Sequence, residues 1–404
     1  MLQSTSIGGS GRILIVTPQP FYEDRGTPIA VKYVAQALSE LGAHVDVLAF
    51  PIGSDVNIAN VHVTRSDNPL RLNSVPVGFS LRKLALDASL WQRFTDLVHG
   101  GKYELVHAVE EAAYMASVIC PRAGVPFIYD MASAIPVEMA RKPLFGIRPV
   151  QALLRRMELH VMRFASRIVC SSGLTGYVNR QAPEANVRAW LYPAFSQRVD
   201  AARVAELRAE LAIEPGRRVL LFSGNLAGYQ GLDLLLDAFD RARRIRPELL
   251  LVCVGATARD LNGRTRRDYL GRESVRIIER QPRSKMPAYL AMADMLALPR
   301  SAADNVPLKL FDYMAAGKPI IATRGPAHEP LLNQSRSFMA DPDPQSFAGA
   351  IVKSCESPAR AAAVAGAAQN YARQNFGWDR FVEFVRMTYC DALNEVQELR
   401  RLVA

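Results

Sequence analysis

The 404-residue chain contains no apolar run approaching the roughly 20 residues that a membrane-spanning helix needs. It is poor in cysteine, and the five it has (Cys120, Cys170, Cys253, Cys355 and Cys390) show no metal-type spacing. The six histidines form no ligand cluster either. We therefore expect no metal and no other cofactor, and small thiols packed in a reducing cytoplasm. Zinc-finger spacing, an aromatic RNA-binding stretch and a basic tail are all missing, which argues against a nucleic-acid partner. The polar N-terminus (QSTSIGGSG) does not read as a signal peptide, and residues 1–10 are expected to form a disordered tail. Gly8, Gly9 and Gly11 precede the first strand instead of following it, so they are no dinucleotide fingerprint. Acid is in deficit: the net charge is +10, which points to phosphorylated substrates or an anionic membrane.

What is present is alternation. Short apolar strands (RILIVTPQ, HVDVLAF, ELVHAV, VPFIYDM, SRIVCSS) alternate with amphipathic helices. A second series, RRVLLFSGN, ELLLVCVG, SVRIIERQ, DMLALPR and KPIIAT, begins near Arg217. This is the pattern of parallel α/β sheets, here two Rossmann-like halves. The first helix is expected over Thr27–Leu41, with Thr27 as its N-cap and Gly42 as its stop. We place domains at 11–198 and 199–375, with a long helical segment over 376–404 that also fits a dimer helix.

The stretch DNVPLKLFDYMAAGKP, Asp304 to Pro319, carries the most chemistry. Pro307 suits a first helical turn, and Gly317 with Pro319 ends the helix. Asp304 and Asp312 bracket seven residues, with Lys309 between them. A lysine in a first turn suits an anion such as a diphosphate, and an acid further along can accept from a ribose diol. The same text also fits an ordinary helix–strand unit with a surface Lys–Asp pair.

The spacing resembles the acidic motif of family 4 glycosyltransferases, nucleotide-sugar enzymes of the GT-B fold, in which two glutamates flank seven residues. Both acids are aspartates here, and Tyr313-Met314 stands where the family has Ala-Met-like text. The resemblance spans nearly the whole chain. It implies an α/β fold of two Rossmann-like domains facing a cleft, with the C-terminal helix crossing back onto the first. It also implies a retaining hexosyltransferase that takes a sugar from a UDP- or GDP-linked donor without metal. Asp304 would hold the donor sugar, Asp312 the ribose, and Lys309, beside Leu308, the diphosphate. The loop FYEDRGTP would bring Arg25, Gly26 and Thr27 to the phosphates, though a plain capped turn fits it as well. In SGNLAGYQG, Gly224 would lie at the donor, while Asn225 and Gln230 stand where relatives carry an arginine and a lysine. Backbone near Arg280 and Pro282 would read the base, and Glu110, Glu111, Tyr129 and Asp130 would form the acceptor side. Ala132 stands where many relatives place a histidine beside the donor sugar. Two other classes stay open: a sugar-nucleotide binder impaired in catalysis, for which Asn225, Gln230 and Ala132 speak, and a nucleotide-sugar epimerase, against which the scarcity of histidine counts.

Between Met139 and Cys170, seven basic residues (Arg141, Lys142, Arg148, Arg155, Arg156, Arg163, Arg167) meet one acid, Glu158, with apolar residues between them. The segment fits either a core-packed helix with a basic outer face or a helix lying on an anionic bilayer. With the second reading go a glycan or lipid-linked acceptor, polysaccharide biosynthesis, and peripheral attachment at the inner face of the plasma membrane.

Overall fold

The computed structural model describes residues 11–75, 81–140, 142, 145–195, 199–224, 228–255, 271–300 and 305–403. The tail expected over 1–10 and the candidate residues Asn225 and Asp304 lie outside these. The chain divides into two compact units, one of residues 1–191 with 379–404 and one of residues 192–378. The first division falls a few residues before the expected 198/199. Tyr192 stacks edge-on against Phe311 at 5.9 Å, and Ala194 N–H donates to Phe376 O at 2.9 Å, so this segment packs with the second unit.

The first unit runs β1 (Arg12–Pro20), α1 (Gly26–Glu40), β2 (His44–Phe50), β3 (Val61–Arg65), α2 (Leu81–His99), β4 (Tyr103–Val109), α3 (Ala112–Ala123), β5 (Phe127–Met131), α4 (Ile135–Ala140), α5 (Arg148–Phe164), β6 (Arg167–Ser171), α6 (Thr175–Gln181) and β7 (Val187–Trp190). Its seven strands pair in the order β3-β2-β1-β4-β5-β6-β7, and every pair is parallel. Both sheet faces are covered, so the strands are near-continuous apolar runs. Leu86, Leu90 and Phe94 of α2, Met115 and Ile119 of α3, and Val161 and Met162 of α5 share one core with the strands. α1 starts at Gly26, with extended Arg25 in the N-cap position, so Thr27 is not the cap that its hydroxyl suggested.

The second unit runs α7 (Ala201–Glu210), β8 (Arg218–Ser223), α8 (Leu232–Ile245), β9 (Leu249–Val254), β10 (Val275–Ile278), α9 (Met286–Met292), β11 (Met295–Leu298), α10 (Lys309–Ala315), β12 (Ile320–Thr323), β13 (Phe338–Ala340), α11 (Pro344–Glu356) and α12 (Pro358–Asn375). Its sheet, also parallel, is ordered β10-β9-β8-β11-β12-β13.

The closing helix α13 (Trp378–Val403) returns to the first sheet. Phe381 packs on Tyr33 of α1 and on Trp190 of β7, with ring centroids 6.3 and 5.8 Å apart. Beneath it, Tyr389 Oη meets His107 Nδ1 at 2.8 Å, His107 Nε2 meets Asp130 Oδ2 at 3.2 Å, and Trp190 Nε1–H donates to Asp130 Oδ1 at 2.8 Å. A carboxylate only accepts, so His107 Nε2 carries the proton and Nδ1 accepts from the tyrosine.

Candidate functional site

Ligands of open α/β sheets sit beyond the carboxyl ends of strands, at the point where strand order reverses. In the second unit that point lies between β8 and β11. Ser223 ends β8, and helix α10 holds its peptide from both sides. Lys309 Nζ donates to Ser223 O at 2.6 Å, while Tyr313, one turn later, accepts from Ser223 N–H at 2.9 Å. Residues at i and i+4 share a helix face, so one helix carries both. This explains the tyrosine that departs from the family text.

Lys309 Nζ also donates to Gln230 Oε1 at 3.0 Å and lies 4.3 Å from the centre of the Phe222 ring. Gln230, which stands where relatives carry a lysine, therefore orients the lysine that comes from α10. Burial first, and Arg300 second, push the Lys309 ammonium down to about 7. Gly224 sits at φ +140°, and a Cβ there would come within 2.9 Å of Lys309 Nζ, so a side chain would displace the ammonium.

Sequence reasoning passed over Arg300. It follows β11, is 6 % exposed, bonds Asn305 Oδ1, and lies 4.9 Å from the centre of the Tyr229 ring. Its signal was an arginine two residues past a buried strand end, in DMLALPR. Buried His328 bonds Thr323 O through Nδ1 at 2.8 Å, and burial pushes its pKa down to about 4, so it is neutral at working pH.

Asp312 does not face outward alone. Arg283 Nη2 pairs with it at 2.9 Å, and Phe195 N–H donates to it at 3.3 Å. Even so, burial holds its carboxyl above the usual range. Leu308 occupies the N-cap position of α10, and Pro307 stands just before the helix, accepting from Leu310 N–H at 2.9 Å. Arg280 is exposed, as is Pro282, which opens the 3-10 turn Arg283–Lys285.

In the first unit the order reverses between β1 and β4. Gln19 Nε2 donates to Glu110 Oε2 at 2.8 Å, and Arg25 Nη2 donates to Gln19 Oε1 at 2.8 Å, so one chain of contacts crosses the crevice. Glu110 adopts φ +50°, a conformation that non-glycine residues rarely take and that clusters at functional sites. Burial, then the adjacent Glu111, hold its carboxyl above the usual range. Glu111 pairs with Lys83, which is buried on α2. Gly26 and Thr27 open α1, whose first turn has no side-chain cap. Ala132 follows β5 directly.

Two acceptor-side expectations are corrected. Tyr129 is fully buried, because its position on β5 points into the core beneath α3. Asp130 is 4 % exposed, and both its oxygens are engaged by His107 and Trp190, so it ties the sheet to α13.

Comparison with known proteins bears on both units. The family model described as "Glycosyl transferase 4-like domain" matches residues 25–189, and that described as "Glycosyl transferases group 1" matches residues 217–357. A D-inositol 3-phosphate glycosyltransferase of Thermobispora bispora is 25 % identical over 92 % of this chain and 91 % of its own. A GDP-mannose-dependent alpha-(1-6)-phosphatidylinositol monomannoside mannosyltransferase of Mycolicibacterium smegmatis is 29 % identical over 40 % of this chain and 45 % of its own. The structure of HepE from Anabaena, in complex with UDP and glucose, superposes with a TM-score of 0.73 at 19 % identity, covering 94 % of this chain and 99 % of that one. With one family model on each unit and a shared fold along nearly its whole length, the chain belongs to the group 1, family 4-like glycosyltransferases of the GT-B fold, which transfer sugar from a nucleotide sugar.

Proposed function

We propose that the chain moves a sugar from a nucleoside diphosphate sugar, UDP- or GDP-linked, to an acceptor hydroxyl with retention of anomeric configuration. The observation that carries this reading is the Lys309 ammonium at the carboxyl end of β8, beside Gly224, with Arg300 as the nearby second cation. Together they supply the charge that Asn225 and Gln230 do not. The bond between the anomeric carbon and the diphosphate breaks, and negative charge grows on the departing phosphate. Preorganised cations in a water-poor site stabilise that charge more than water would. The acceptor oxygen bonds to the anomeric carbon from the side the diphosphate leaves, and its proton passes to the departing phosphate oxygen. Asp312 binds the ribose with its charge offset by Arg283, and Asp304 holds the donor sugar. Glu110, steered by Gln19, binds acceptor hydroxyls. Names among the relatives, with inositol 3-phosphate and phosphatidylinositol mannoside among them, support a phosphorylated, lipid-linked or glycan acceptor. A membrane-borne acceptor also suits peripheral contact with an anionic lipid surface.

Incubation with UDP- and GDP-sugars tests this reading. Acceptor-dependent release of nucleoside diphosphate, lost in Lys309→Ala, supports it; release of a new sugar isomer makes the protein an epimerase. Ala132 favours one second reading, a donor-binding protein with impaired transfer, because a methyl group makes no polar contact with a sugar. On that reading Ala132→His raises turnover by orders of magnitude and leaves nucleotide affinity nearly unchanged. A histidine variant no faster than the parent removes that reading.

A further inference from the structure

Helix α5 has two apolar lines, and only one packs. Gln151, Glu158, Val161 and Met162 face inward, where Val161 and Met162 join the core of the first unit. Leu153, Met157 and Phe164 recur at i, i+4 and i+11, a second line along the outer face. They are 57 %, 43 % and 50 % exposed, and Ile147, just before the helix, is 53 % exposed. Of the ten exposed large hydrophobics among the described residues, these four fall within one short segment. A core-packed helix needs only the inner line, so packing leaves the outer one unexplained.

Charge runs beside it. Arg156 and Arg163 border the outer line and are exposed, whereas Arg148 and Arg155, also exposed, lie on the far side of the helix. The single acid of the helix, Glu158, is 1 % exposed, accepts from Tyr177 Oη at 2.5 Å and among the helix's arginines meets the charge of Arg155, so Arg156 and Arg163 face no acid of their own helix. The result is an apolar line about 16 Å long with two arginines and no exposed acid of its own helix beside it.

We propose that the outer face of α5 docks onto an anionic lipid bilayer, with Leu153, Met157 and Phe164 entering the acyl boundary and the arginines meeting lipid phosphates. Three arguments select this occupant. A second copy would set arginine against arginine, which charge repulsion opposes. A single convex helix offers no groove for a peptide, whereas a fluid apolar phase conforms to it. Arginine stems can lie along apolar surface while their heads stay at the headgroups. The face deepens the proposed function, because it would bring the first unit to a lipid-linked acceptor. Vesicle binding itself requires no sugar nucleotide.

The test is flotation of the full chain with vesicles of phosphatidylcholine alone and of phosphatidylcholine with phosphatidylglycerol, over a range of salt. The parent should float with the anionic vesicles only, and less as salt rises. Arg156→Gln with Arg163→Gln should weaken partitioning roughly thirty-fold, since each basic residue at an anionic surface contributes about fivefold. Leu153→Ser with Met157→Ser should lose binding too, with an unchanged melting temperature because both positions are exposed. The proposal falls if the parent stays unbound, if it binds neutral vesicles equally, or if either double variant floats like the parent. It also falls if sedimentation shows a dimer that the serine variant dissolves, which would give the face to a second copy. A protein that floats without transferring sugar overturns only the transferase reading. One that glycosylates a soluble acceptor but never floats overturns only the docking face.

Discussion

At the residue scale, Lys309 decides most. Its pKa of about 7 means that a diphosphate bound at the proposed site would draw a proton onto it to gain full charge. Affinity for nucleoside diphosphate should therefore be strongest below pH 7 and fall as pH rises above it. Calorimetry at pH 7 in buffers of different ionisation enthalpy should show proton uptake in the parent and none in Lys309→Met. The variant should lose roughly 1.5–3 kcal/mol of diphosphate affinity, the worth of a charge-assisted contact, while nucleoside binding stays put. Equal diphosphate affinities would remove Lys309 from the site. Stability carries the opposite sign to affinity. The folded pKa lies below the ordinary 10.5, so between pH 7 and 10.5 the unfolded chain holds the extra proton and stability rises with pH. Glu158 runs the other way, because burial raises its carboxyl from 4.5 to about 7. Its contribution is full below pH 4.5 and is lost as pH climbs through 7. Glu158→Gln should therefore melt with the parent at pH 4.5 and above it at pH 8, by on the order of 1–3 kcal/mol. Matching melting curves at pH 8 would contradict this.

At the element scale, α10 and α13 are fastened by tyrosines whose role the helical pattern could not show. Tyr389 reaches His107, which is 282 positions away in the chain, and Tyr313 reaches Ser223, which is 90 away. Tyr389→Phe leaves a buried imidazole nitrogen without its donor. Denaturant unfolding should fall by about 1–3 kcal/mol, with an unchanged m-value. A variant as stable as the parent would show that a water replaces the hydroxyl. The helices themselves were legible: α1 was placed within one residue at either end, and the closing helix was expected from Phe376 and begins at Trp378. Their boundaries follow from local chemistry, such as Gly42 at φ +86° just beyond α1. The cap of α1 was misread because chain entry, not the threonine hydroxyl, sets which residue is extended.

At the scale of the whole molecule, ligands read out the site. Nucleotides that bind only the folded state raise the melting temperature, by a free energy of about 2.7 kcal/mol at a hundred times the dissociation constant. A panel of UDP, GDP, ADP and their sugars should single out one base, and Gly224→Ala should erase its shift by displacing Lys309. A shift that survives the alanine would place the diphosphate elsewhere.

The chain's own text determined that there are two parallel α/β halves, because a strand covered on both faces must be a continuous apolar run, and such runs alternate with helices in two series. It also marked Lys309, Gly224 and Glu110, which sit in the few residues after a strand or at the start of a helix, and Asp312, which the family-like spacing singled out further along the same helix as Lys309. Which of the marked groups the core or a buried partner claims was decided only by the fold. Tyr129 and Asp130 share a strand end with text that looks functional, yet one points into the core and the other is claimed by His107 and Trp190. Arg283 reaches Asp312 across 29 positions, and Arg300 comes to β8 only because β11 pairs beside it. Burial and charge pairing depend on strand order and on the crossing of distant segments, and strand order is a property of the packed sheet, not of any single stretch of residues.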